Sequence, residues 1–130
     1  MSEINVLLDT SILVEFFDST KKGEKLKDYV SEKYRLFTPA IVISELASKL
    51  KRKGFEPKKM IDELRGATQV VPLTDLVAEE SGILHATLRE RINNISLADC
   101  IIMTHAQKLK AKILTCDNHF KGHNNSIIIE

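Results

Sequence analysis

Ile4-Asn5-Val6-Leu7-Leu8-Asp9-Thr10-Ser11-Ile12-Leu13 is the stretch on which the fold turns. Residues 4–8 predict a short buried strand. Asp9-Thr10-Ser11 then carries a helix-start signal, and Ile12, Leu13, Phe16 and Phe17 follow at helical spacing. An apolar strand thus runs through an acid directly into an amphipathic helix.

Working outward, the same alternation recurs. Residues 21–33 predict a more polar second helix with Leu26, Tyr29 and Val30 on one face. Leu36-Phe37-Thr38 predicts a brief strand, and Pro39 opens a helix over about 40–53. Gly54 stops that helix and Pro57 restarts one to about residue 65. Residues 69–73 predict a strand, Thr74-Asp75 a long helix, Ser96 a helix to about 110, and residues 112–115 and 126–129 two last strands. Strands alternating with helices imply an α/β fold, a mainly parallel sheet covered on both faces.

The chain has 130 residues, which fits one domain over 1–130. Apolar residues are 43% and charged residues 28%, the balance of a globular protein with a real core. No stretch approaches the length of a membrane span, and Met1-Ser2-Glu3 does not open a signal peptide, so cytoplasmic residence is expected. Cys100 and Cys116 lie in apolar segments and read as small buried residues rather than a disulfide. With a net charge of +1, any attraction for nucleic acid must come from a local patch.

Four acids are locally out of character. Asp9 ends the first strand; Glu45 interrupts Ile41-Val42-Ile43-Ser44; Asp99 lies in Ser96-Leu97-Ala98-Asp99-Cys100-Ile101-Ile102; Asp117 follows Ile113-Leu114-Thr115-Cys116. Carboxylates beside core segments carry a desolvation cost, and several together repel, for which a divalent cation is the usual remedy. In open α/β sheets ligands gather at the carboxyl ends of strands, where Asp9 and Asp117 fall. Each acid also has an ordinary reading: Asp9 as a helix cap, Asp99 in a capping box with Ser96, Asp117-Asn118 as a turn, Glu45 paired with Lys49. Their joint placement points instead to an acidic metal site acting on a phosphate ester.

In this order and at these intervals, Leu7-Leu8-Asp9-Thr10-Ser11, Ile43-Ser44-Glu45-Leu46, Ser96-Leu97-Ala98-Asp99-Cys100-Ile101-Ile102 and Leu114-Thr115-Cys116-Asp117-Asn118-His119-Phe120 resemble the PIN-domain ribonucleases. The similarity is greatest to VapC-type toxins of toxin–antitoxin pairs and spans about residues 4–129. It implies a three-layer, Rossmann-like α/β/α domain, Mg²⁺ or Mn²⁺, endonucleolytic cutting of RNA, an antitoxin partner and a homodimer. Asp9, Glu45, Asp99 and Asp117 match the family's acidic positions, and Thr10, Ser11 and Thr115 its hydroxyl positions. Some members carry further acids near the third and fourth motifs; Ser96, Asn118 and His119 stand in those places here, which puts a second metal in doubt.

On this reading Asp9, Asp99 and Asp117 hold the metal directly or through water. Glu45 completes the site or orients the attacking water, and Thr10, Ser11 and Thr115 hydrogen-bond the ligand carboxylates. Lys49, Lys51, Arg52 and Lys53, with Lys58 and Lys59, form the densest basic run and the candidate RNA contact, or else a solvated helix end. Apolar segments 12–17 and 41–50 are candidates for partner surfaces or plain core. Cys116, His119 and His123, with Cys100, form a conceivable zinc half-site. A phosphohydrolase with a covalent intermediate at Asp9 usually resembles Asp-x-Asp, whereas Ser11 stands here. A housekeeping RNA-processing nuclease and a non-catalytic RNA-binding or regulatory module are the remaining alternatives. No phosphate-binding glycine loop and no Gly-x-Ser-x-Gly occur.

Overall fold

In the computed structural model, which describes residues 3–123 and 125–130, five parallel strands form one sheet in the order β3-β2-β1-β4-β5. The strands are β1 (Ile4–Leu8), β2 (Tyr34–Pro39), β3 (Gln69–Val71), β4 (Lys112–Thr115) and β5 (Ser126–Ile128). Around them lie α1 (Thr10–Phe17), α2 (Lys21–Glu24), α3 (Ala40–Arg52), α4 (Pro57–Ala67), α5 (Asp75–Arg89) and α6 (Leu97–Leu109). Two 3₁₀ turns complete the set, Lys25–Tyr29 and Asn118–Phe120. The sheet is wholly parallel, within the α/β/α arrangement expected.

β1 is the central strand because its Val6, Leu7 and Leu8 are fully buried, as are Ile113 and Leu114 on β4 beside it. A strand covered on both faces reads as an apolar run, not an alternation. Ile12 and Leu13 of α1, and Val42, Leu46 and Leu50 of α3, close one part of the core. Cys100, Ile102 and Ala106 of α6 close another. Each such aliphatic side chain contributes about 1.5–3 kcal/mol by leaving water. The helices pack in two groups, α1 with α2 and α3 and α3 with α4, and α5 with α6.

The elements depart from expectation in instructive places. The helix predicted over 21–33 is a single turn, α2, continued by the 3₁₀ turn, and Val30 is 62% exposed. The cause is Gly23, which lies so close to Glu15 and Phe16 of α1 that a Cβ would meet their backbone. β3 ends at Val71, before Pro72, which has no N–H for a ladder. β2 is longer than predicted, and its last residue Pro39 leads straight into α3. Ser96 caps α6 and Lys110 ends it in the left-handed region at φ 51°. Cys100 and Cys116 are both free thiols. No helix among the described residues is long and apolar enough to cross a membrane.

Candidate active site

With strand order 3-2-1-4-5, chain connections leave β1 and β4 in opposite directions, and a crevice opens at their carboxyl ends. Leu8 pairs with Leu114, so Asp9 and Thr115 emerge side by side, and the Asp9 N–H donates to the Leu114 carbonyl at 3.1 Å. Two residues further, Asp117 leaves the same edge.

Asp9 is 5% exposed, and its carboxylate makes no cap bond to α1. Its Oδ2 instead accepts from Thr115 Oγ1 at 2.7 Å and Ser11 Oγ at 2.8 Å. Each hydroxyl has one proton, so with both given to Asp9 the 3.0 Å contact between the two hydroxyls carries none. Their lone pairs accept in turn, Ser11 from the Cys116 N–H at 2.8 Å and Thr115 from the Asp117 N–H at 2.9 Å. Ser11 and Thr115 therefore tie the end of β1, the start of α1 and the exit of β4 together. Burial pushes the Asp9 carboxyl above its ordinary value of 3.8; the Thr115, Ser11 and Thr10 hydrogen bonds oppose this and the Asp117 charge adds to it.

The other acids are held from different elements. Asp99 completes a capping box with Ser96, accepting the Ser96 N–H at 3.2 Å while its own N–H donates to Ser96 Oγ at 3.0 Å. The ordinary role and the site role coincide in this residue. Asp117 caps the second 3₁₀ turn by accepting the His119 N–H at 2.9 Å. Glu45, on α3, accepts from Thr10 Oγ1 at 2.8 Å, a link to α1 rather than the pair with Lys49 that was its ordinary alternative.

Among the described residues, one group of three potential metal ligands gathers: Asp99, Asp117 and His119, with donor atoms within 4.8 Å of one another. His119 Nδ1 lies 3.3 Å from Asp99 Oδ2 and 3.5 Å from Asp117 Oδ1. Asp9 stands outside that set, because its Oδ2 is drawn to the Thr115 and Ser11 hydroxyls. Of the three carboxylates expected as ligands, Asp99 and Asp117 fall in this group, and His119 joins them. The zinc grouping does not form among the described residues. Cys100 is sealed in the core, His123 Nδ1 contacts Ser126 Oγ at 3.3 Å, and His119 turns to the carboxylates because Phe120 next to it is fully buried.

This donor set, two carboxylates and an imidazole, fits a divalent cation. Among the described residues no lysine or arginine pairs with Asp9, Asp99 or Asp117, so their charges lack a basic partner other than His119. The basic run divides. Lys49 and Arg52 line a shallow recess of about 290 Å³ with Glu45, Ser44 and Ser48. Lys53 pairs with Asp18 at 3.1 Å, and Lys51 sits off that helical face. A second basic recess, of about 310 Å³, contains His119, Arg91 and Lys121. The sequence reading did not single out those two cations, because they flank the site only once the Asn118–Phe120 turn folds back toward Arg91 beyond α5. Phe16, Phe17, Leu26 and Leu36 line an apolar cleft of about 520 Å³ beside α1.

Fold and crevice together define a parallel α/β domain with a carboxylate-lined site at its topological switch point. A PIN domain family model matches residues 6–124, and the chain belongs to the PIN domain family. Its fold is shared by a toxin–antitoxin complex from Klebsiella pneumoniae (17% identity, 96% of this chain and 98% of that chain, TM-score 0.76). VapBC2 from Rickettsia felis bound to a promoter DNA fragment is similar at 19% identity, covering 96% and 97% of the two chains, TM-score 0.75. Mycobacterium tuberculosis VapC20, a sarcin–ricin loop cleaving toxin, is similar at 16% identity, covering 92% and 95%, TM-score 0.75. No curated protein sequence matches.

Proposed function

We propose that this chain is a divalent-metal-dependent endoribonuclease, the toxin of a type II toxin–antitoxin pair. One observation carries the reading. Asp99, Asp117 and His119 converge beside the buried Asp9, without a lysine or arginine to balance them. Membership of the PIN family and the toxin–antitoxin neighbours support it.

Asp99 and Asp117 would hold Mg²⁺ or Mn²⁺, with Asp9 joining directly or through water. Such an ion, when bound, neutralises charge on the phosphate and lowers the pKa of a coordinated water. Glu45, one oxygen of which accepts from Thr10, would take a proton from the attacking water with the other. The water oxygen would bond to phosphorus as the P–O bond to the leaving ribose oxygen breaks, and that oxygen would take a proton from solvent water. Ser11 and Thr115 keep Asp9 in place through the turnover. The RNA backbone runs between the Lys49–Arg52 recess, which shares Glu45 with the site, and the Arg91–Lys121 recess, which shares His119.

The apolar cleft on α1 supplies the antitoxin surface, and Leu76 and Ile83, two turns apart and exposed on α5, supply an apolar face for a homodimer. RNA cleavage with EDTA, Mg²⁺ and Mn²⁺ tests the enzyme reading on wild type, Asp9→Asn and Asp99→Asn. Cutting should require metal, and each substitution should lower the rate by about 10²-fold or more while the circular dichroism spectrum is kept. Undiminished cutting in EDTA, or by both variants, would sink it.

A further inference from the structure

We propose that His119 is itself a ligand of the metal centre, oriented by Asn94, and that the resulting Asp99–Asp117–His119 set favours a transition-metal ion such as Mn²⁺ over Mg²⁺. The proposal rests on the nuclease reading only in taking this site to bind a divalent cation. The separations of 3.3 and 3.5 Å from Nδ1 to the two carboxylates suit ligands sharing one ion. Two donors about 2.1 Å from a common metal lie about 3.0–3.4 Å apart in octahedral or tetrahedral arrangements.

The turn that carries the ring is fixed. The His119 backbone N–H donates to Asp117 Oδ1, and the adjoining Phe120 anchors the turn in the core. The far nitrogen, Nε2, lies 3.2 Å from the Asn94 amide nitrogen Nδ2. A ligating Nδ1 must carry its lone pair toward the metal, so the proton sits on Nε2 and needs an acceptor. A half-turn of the Asn94 amide would bring its oxygen to the place that Nδ2 holds and supply that acceptor. The His119 side chain is 36% exposed, open to an incoming ion. Mg²⁺ prefers oxygen donors and holds its water, whereas imidazole suits transition metals. An imidazole in place of an acid therefore changes which ion the centre selects.

Calorimetric titration of MnCl₂ and MgCl₂ into the full chain tests this on wild type, His119→Ala, His119→Asp and Asn94→Ala. Pulsed EPR of bound Mn²⁺ reads nitrogen coupling directly. The chain has four histidines, so loss of that coupling in one variant identifies the ligand. Wild type should show the coupling. His119→Ala should abolish it and weaken Mn²⁺ by about 10-fold or more, with Mg²⁺ changed by less than about threefold. His119→Asp should bind both ions without the coupling and with a lower Mn²⁺ preference. Asn94→Ala should weaken Mn²⁺ in the same direction by less. Equal weakening of both ions in His119→Ala, or no nitrogen coupling in wild type, would overturn the assignment while leaving a metal nuclease standing. Failure of wild type to bind either ion would overturn both.

Discussion

Asp9 is a carboxylate held inside the fold by two hydroxyls and no lysine or arginine, and its thermodynamics follow from that. Burial raises its folded pKa above 3.8, so between that value and the raised one the folded state keeps a proton the unfolded state has lost. The metal-free fold is therefore destabilised as pH rises through this window, and the deficit persists at neutral pH. Asp9→Asn should melt a few degrees higher than wild type in EDTA at pH 7 while losing cleavage; differential scanning fluorimetry reads the first. His105 has the opposite sign of dependence. Burial at 2% exposure lowers its pKa below 6.5, and its Nε2 has no protein partner. Stability is full above 6.5 and falls as the unfolded state alone gains the proton below it; the half-buried His123 acts in the same sense. A melting temperature that drops between pH 7 and 5, with a shallower fall in His105→Gln, is expected. At this scale the acids of the candidate site were legible only jointly, since each alone, Asp9 as a helix cap included, has an ordinary reading. His119 was not legible as part of it: its neighbours Asp99 and Asp117 are ordinary capping acids in sequence, and only the 3₁₀ turn brings the ring to them.

Among the elements, the approach of α2 to α1 is the tightest constraint. Gly23→Ala would drive a methyl group into the Glu15 carbonyl and the Phe16 backbone, neither of which can turn aside. A loss of about 2–4 kcal/mol in urea denaturation is expected, with the helices forced apart below the apolar cleft. That contact also explains where sequence reading failed. Leu26, Tyr29 and Val30 have helical spacing, but Gly23 ties the segment to α1, and the chain tightens into a 3₁₀ turn. The other elements were readable because local and tertiary signals agree in them. Ser96 and Thr74 each accept an N–H from the first turn of the helix they precede, and Pro57 opens α4. Strand order was not readable, because it depends on which apolar runs meet, not on any one run.

For the whole molecule, if the acids hold the proposed ion, metal and fold would stabilise each other. An ion at about one hundred times its Kd adds about 2.7 kcal/mol, roughly a 10 °C rise in Tm for a chain this size. The rise should vanish in EDTA and be largely absent in Asp99→Asn, as followed by fluorimetry. The bond from Thr115 to Asp9 has a further meaning, one of time. It joins residues 106 positions apart. A ribosome adding roughly 5–20 residues per second needs about 5–20 s to pass from one to the other. Until β4 emerges and slots beside β1, Asp9 has neither its hydroxyl from Thr115 nor Asp117 as a neighbour, so on the proposed nuclease reading the growing chain would be catalytically silent. The proposed cleavage would then begin only at the end of synthesis, when the apolar cleft beside α1 is already formed.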